Sequence, residues 1–345
     1  MKAAILIESS KPLMVSDIDL PEKLEFGQVL VKVCYSGICG AQINEIDAVK
    51  GPDKFLPHLL GHEGSGIVMD LGPGVTTVKK NDHVVLHWRK SLGIESQTPT
   101  YIWDKKKINA GWVTTFNEYA VVSENRLTAI SKNFDLKTAA LFGCAITSGF
   151  GAVNNDAKVK IGQSVLIYGL GGMGLSIADA CSLVSANPIV GIDIHESKLR
   201  LSKKFGVTET IINKDKDYVK EKINEIFGEN GPEIVFETTG NSKLMEHAYE
   251  LTPKDGKTVY VGVPNDKISI YSLPLAFGKK IEVSHGGDSI PDKEIPRYIN
   301  LCRDKEIDFS KYITHEFNLD NINEALKLFR SGKAGRIILN IGSEN

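Results

Sequence analysis

The apolar positions change their spacing once along the chain. Up to about residue 145 they come in short runs broken by Gly and Pro, at 29–35, 66–71, 83–86 and 118–122. Runs of this length between turn residues predict strands, so this part reads as β-rich. The opening run, 1–8, meets Glu8 too soon for the apolar core of a signal peptide and reads as one more strand. From about 146 the pattern alternates. Strands are predicted at 164–168, 189–194, 234–237 and 258–263, and helices at 175–184, 197–205 and 242–251. Strand alternating with helix predicts βαβ units and a parallel sheet. Beyond about 288, helical patterns at 296–303 and 322–330 precede a last strand at 336–341. The polar stretch 88–112 carries Lys105, Lys106 and Lys107 and is predicted to be a long loop.

Composition narrows the class. At roughly 150 residues per domain, 345 residues predict two domains. Hydrophobic residues at 42% and charged residues at 24% are ordinary globular usage and exclude a disordered chain. The formal charge of −2 supplies no field for nucleic acid or an anionic membrane. No run approaches 18 apolar residues, so no transmembrane helix is expected. Five cysteines, Cys34, Cys39, Cys144, Cys181 and Cys302, are too few and too scattered for a disulfide framework. A reducing, cytoplasmic setting is expected.

One motif carries a phosphate-binding mechanism. Gly169-Leu-Gly171-Gly172-Met173-Gly174 matches G-x-G-x-x-G between a predicted strand and a predicted helix. Asp193 ends the next strand 24 residues after Gly169. Gly169 permits the tight turn, Gly171 lets a pyrophosphate approach the backbone, and Gly174 lets helix and strand pack closely. Asp193 would accept hydrogen bonds from a ribose and repel a 2′-phosphate, which favours NAD over NADP.

Metal chemistry is suggested less directly. His62 lies in Gly61-His62-Glu63, Cys39 lies 23 residues earlier, and Cys144 precedes the βαβ region. Spacing alone leaves two readings open: three ligands of one zinc, or a core histidine and two plain buried thiols. Two thiolates and an imidazole would leave the fourth position open, as a catalytic zinc requires.

With these residues in view, the chain resembles the zinc-type alcohol dehydrogenases of the medium-chain dehydrogenase/reductase superfamily along essentially its whole length. Gly61-His62-Glu63-Gly-Ser-Gly66, followed after five residues by Gly72, is similar to the family's zinc motif. Cys144 stands 25 residues before Gly169, at the family's spacing. The runs Phe236-Glu-Thr-Thr-Gly240, Val261-Gly-Val-Pro264 and Gly286-Gly287 fall where the coenzyme-domain motifs do. Ile313-Thr-His315, Ile322-Asn-Glu324 and Arg330-Ser-Gly332 resemble the liver-type and glutathione-dependent formaldehyde dehydrogenase branch. The resemblance implies an α/β protein with a GroES-like β-rich catalytic domain (1–145 and 289–345) and a Rossmann coenzyme domain (146–288). It implies hydride transfer between NAD and an alcohol or carbonyl, and a homo-oligomer, dimer or tetramer.

Residue roles follow from the same resemblance. Cys39, His62 and Cys144 would ligate the catalytic zinc, and Glu63 would sit behind it and could enter its shell. Ser148, Val261, Val263 and His285 would line the nicotinamide site. Lys198 would lie near the adenosine ribose, and Arg336 would pair with the pyrophosphate. Trp88 would belong to the aromatic wall of the substrate pocket.

The departures are specific. The family follows its first ligand with a hydroxyl residue and then Asp; here Cys39-Gly40-Ala41-Gln42 has neither. Ala41 cannot hold a substrate alcohol or start a proton relay. Gln42 replaces the carboxylate that would orient His62. Asn44 offers no useful proton-transfer group, which leaves Glu45, Asp47, a substrate group or water. A zinc-free or weakly active reductase, or a catalytically silent NAD-binding homologue, is the alternative these changes raise. Many relatives also carry four close cysteines for a structural zinc, and 88–112 has none. One zinc is therefore expected, with Tyr101, Trp103 and Trp112 or a subunit partner holding that lobe. His87, Arg89, Lys90 and Lys105–Lys107 admit two readings, a cationic substrate rim or a solvated loop.

Overall fold

The structure, a computed structural model, describes residues 1–305 and 307–342. The chain divides into two compact units, Met1–Cys144 with Ile290–Asn345, and Ala145–Ser289.

The first unit is built on two sheets. The long strand Gln28–Gly37 is the hub of the larger one and pairs antiparallel with Glu63–Leu71. Its first half also pairs with Tyr119–Ser123 and its last residues with Arg336–Asn340. His83–His87 and Leu127–Ile130 extend this sheet on one side, Ile313–Asn318 on the other. Alternate Val29, Val31 and Val33 point inward and meet Val68, Val84, Leu86 and Val122 in one core. The smaller sheet runs Met14–Asp17, Lys2–Leu6, His58–Leu59, Lys106–Asn109 and Thr100–Trp103. Its last two strands correct one expectation: 88–112 is not a structureless loop. Thr100–Trp103 and Lys106–Asn109 form an antiparallel hairpin. Tyr101 and Ile108 are buried and anchor it to Ile5, Leu59 and Val121. Trp103 donates from Nε1 to Ser16 Oγ at 3.1 Å. Trp112 takes no part in that core and is exposed beneath the Arg126 guanidinium.

The second unit holds a six-stranded, wholly parallel sheet. Its order is Glu209–Ile212, Ile189–Asp193, Val165–Tyr168, Ile234–Glu237, Lys257–Tyr260, Lys280–Val283. The order reverses beside the strand Val165–Tyr168, which makes its carboxyl end a topological switch point. The central strands read as continuous apolar runs because both their faces are covered, and Val165–Tyr168 is buried at every residue. This is the Rossmann arrangement. Lys280–Val283 is an edge strand with three of its four residues exposed or nearly so.

Candidate active site

The Cys39, His62 and Cys144 side chains, far apart in sequence, converge in the first unit. Cys39 caps the short helix Gly40–Ile46, and its N–H donates to Gln42 Oε1 at 2.9 Å. His62 follows Gly61, whose φ of +93° favours glycine, and enters the strand Glu63–Leu71. Cys144 closes the 3₁₀ turn Ala140–Gly143. The two Sγ atoms are 4.0 Å apart. A ring nitrogen of His62 and both Sγ lie within 4.8 Å of one another. Gln42 Nε2 contacts His62 Nδ1, so the nitrogen left for a metal is Nε2, which is buried with no hydrogen-bond partner among the described residues. An orphaned buried nitrogen beside two soft sulfurs fits a zinc ion.

The buried ionisable groups of the site act on one another. A hydrogen bond from Cys144 holds the Cys39 thiol well below its ordinary pKa, against the opposing effect of burial. The same bond and burial push Cys144 well above its own. Burial pulls His62 down, but Cys39 outweighs it and the net shift is upward. Behind the trio, Glu63 and Arg336 form an ion pair, with 0% and 3% of each residue exposed. Burial raises the Glu63 carboxyl, and the guanidinium acts the other way. Burial disfavours the charged Arg336, yet Glu63 and the two cysteines outweigh it and raise its pKa. Gly37 leaves the room: a Cβ there would fall 2.7 Å from the Glu63 carboxylate. Arg336 thus meets Glu63, a partner other than the pyrophosphate that the resemblance implies.

The second unit supplies the Gly-rich turn. Gly169 has φ +85°, and a Cβ on Gly174 would lie 1.8 Å from the Gly169 carbonyl oxygen. Nothing lies within 4 Å of a Cβ built on Gly171, the residue that caps the helix Gly172–Leu183. The protein's own packing does not demand glycine at 171, whereas close approach of a ligand does. This open cradle at a helix N-terminus fits a dinucleotide. Asp193 is buried at the end of its strand; its carboxylate accepts Leu170 N–H at 2.8 Å and His195 N–H at 2.9 Å. Gly172 and Met173 open the helix and are half-buried, and Lys198 is half-buried in the first turn of Glu196–Ser202. Ser148 is buried in Ala145–Gly151, Val261 is half-buried, and Val263 and His285 are exposed.

Residues 169–303 match the zinc-binding dehydrogenase family, and residues 25–132 match the alcohol dehydrogenase GroES-like domain. An S-(hydroxymethyl)glutathione dehydrogenase of Synechocystis sp. is 30% identical over 367 residues, covering 98% of this chain and 99% of that protein. The chain belongs to the zinc-type alcohol dehydrogenases of the medium-chain dehydrogenase/reductase superfamily. A class-3 alcohol dehydrogenase of Dictyostelium discoideum is 32% identical over 375 residues, covering 99% of this chain and 97% of that one. Among solved structures, benzyl alcohol dehydrogenase from Acinetobacter calcoaceticus superposes with a TM-score of 0.88, at 27% identity and 99% coverage of both chains. Membership of this family makes the chain an oxidoreductase.

Around the site, several relations escaped the sequence. His87 is buried, donates from Nδ1 to the Arg89 carbonyl at 2.6 Å, accepts the Thr128 hydroxyl at Nε2 (3.0 Å), and is pushed down to about 4 by burial. It is uncharged at neutral pH and does not belong to a cationic rim. Lys106 and Lys107 lie on a strand and are exposed. Trp88 is half-buried, with the Arg89 guanidinium 5.9 Å from its ring. Asp47 pairs with Arg330, two oxygens to two nitrogens. Neither that pair nor Glu63–Arg336 carried a sequence signal, because the partners are 283 and 273 residues apart.

Proposed function

We propose that this family member is an NAD-dependent alcohol dehydrogenase with a single catalytic zinc held by Cys39, His62 and Cys144. The observation that carries the reading is the convergence of three soft donors within 4.8 Å around a buried, unpartnered nitrogen. Held there, zinc would supply Lewis-acid polarisation of an alcohol or carbonyl oxygen, and a bound NAD would supply the hydride chemistry. The residues of the chain prepare that reaction. Cys39, already biased towards its thiolate, is the first anionic donor, and Cys144 gives up its proton when a cation replaces it. Glu63 keeps a carboxylate behind the donors, steadied by Arg336, and is the group able to join the shell. Gly171 and the start of its helix receive the pyrophosphate, and Asp193 accepts from the ribose hydroxyls. Ser148, Lys198, Val261, Val263 and His285 are assigned to the rest of the cofactor.

Ala41 has no hydroxyl to take the alcohol proton. Of the two nearby carboxylates, Asp47 is engaged by Arg330. Glu45 stands one helical turn after Ala41 on the same face, so we assign the proton to its carboxylate. The substrate is assigned to alcohols and their carbonyls, with polyols and phosphorylated alcohols included. The five cysteines are free thiols, which supports a reducing, cytoplasmic setting.

Metal analysis tests the assignment. About one zinc per chain, lost in Cys39→Ala, is expected from three protein ligands and an open position. No zinc alongside intact NADH turnover would refute it. A screen over alcohols, polyols and their phosphates, read by NADH formation, should return at least one robust substrate.

A further inference from the structure

Gln42 makes two contacts with opposite requirements. Its Oε1 accepts the Cys39 backbone N–H at 2.9 Å, the bond that closes the start of the helix. Its Nε2 contacts His62 Nδ1. The side chain is fully buried, so no water relieves either end. A carboxamide has one accepting end and one donating end. With Oε1 committed to Cys39, a donor meets the imidazole, and Nδ1 has to be the accepting nitrogen. A neutral imidazole then carries its proton on Nε2. That is the nitrogen left facing the thiols. A metal ligand needs the reverse arrangement, a lone pair on Nε2 and the proton on Nδ1.

We propose that Gln42 is a positioning residue that holds His62 in the tautomer opposed to zinc, so that this site takes zinc more weakly than the same site with a carboxylate at position 42. Metal binding releases the Nε2 proton, and Nδ1 takes one up, so the imidazole stays neutral. The Nδ1–H then faces the Gln42 amino group, or the amide turns over and strands the Cys39 N–H. Either outcome leaves a buried donor without an acceptor, which opposes binding. A carboxylate of the same length puts an accepting oxygen at both places and serves both donors together. The inference rests on the zinc reading above and adds to it what this chain has done to its own affinity.

Two measurements test it. In the metal-free protein, ¹⁵N–¹H long-range correlation above neutral pH should show His62 protonated on Nε2 alone. A proton on Nδ1 would overturn the proposal, and this experiment needs no variant to fold. Zinc titration of the full chain against a chromophoric chelator, at fixed pH, should give a Kd about 10- to 100-fold tighter for Gln42→Glu than for the unaltered protein. Equal or weaker binding by Gln42→Glu, with both proteins taking up zinc, would overturn the inference and leave the zinc reading standing. Failure of both proteins to bind zinc would overturn the two together.

Discussion

Asp193 carries architecture and, under the proposed function, is also assigned selectivity. Its two oxygens already accept the N–H groups of Leu170 and His195, which ties the Gly-rich turn to the next strand. Each carboxylate oxygen retains a second lone pair, and the charge is undivided, so a ribose hydroxyl is welcome and a phosphate is not. Asp193→Gly is expected to weaken NAD binding about tenfold or more, the worth of a charge-assisted hydrogen bond, and to admit NADP. Cofactor titration by fluorescence measures both, and an unchanged preference would remove Asp193 from the role. Burial sets a different expectation for His87. Its pKa lies near 4 in the folded chain, against about 6.5 unfolded, so the unfolded state binds the proton more readily. Its contribution to stability is therefore complete above about pH 6.5 and is lost as pH falls towards 4. Chemical denaturation across that window should show the advantage over His87→Gln shrinking by about 3 kcal/mol. A constant gap would mean that the imidazole is solvated.

At the scale of elements, the hairpin Thr100–Asn109 lies within 88–112, the stretch whose lack of cysteines predicts no structural zinc. Tyr101 fills the space under it and its hydroxyl oxygen accepts Val121 N–H at 2.9 Å. Tyr101→Ala should cost about 3–5 kcal/mol through cavity and lost contacts, and Tyr101→Phe about 1 kcal/mol through the lost acceptor. Thermal melts would rank the two, and a silent Tyr101→Ala would show that the hairpin is dispensable. This hairpin was not legible in the sequence. Its turn puts Asp104 and Lys105 at φ of +48° and +62°, and lysine there gives none of the signals that Asn-Gly or Asp-Gly would. The four inner parallel strands and the Gly-rich turn were legible because burial leaves uninterrupted apolar runs and steric need leaves glycines, whereas the two edge strands, Glu209–Ile212 and Lys280–Val283, are partly exposed and left no such run. The candidate ligands stood out through their motifs, whereas their surroundings did not. Gln42 could be read as a missing carboxylate, but its commitment to the Cys39 N–H depends on where the helix begins.

For the whole molecule, the open question is what covers the edge of the Rossmann sheet. Among the described residues, Lys280–Val283 pairs on one side only, with Lys257–Tyr260. Val283 and Tyr271 are each 70% exposed and Phe277 60%. An unpaired edge beside exposed apolar groups invites another chain, and soluble proteins normally cover or charge such an edge. Lys280 and Glu282 place one charge of each sign on the strand, which opposes a second copy far less than two like charges would. If the chain forms the homo-oligomer expected from its sequence resemblance, this edge is the predicted interface. Light scattering on the purified protein should give a multiple of the chain mass of 37.8 kDa. Val283→Lys combined with Phe277→Lys adds two buried, unpaired like charges per copy and should shift the population to monomer. A monomeric mass for the unaltered chain at micromolar concentration would overturn the assignment, and an unshifted oligomer in the double variant would move the interface elsewhere.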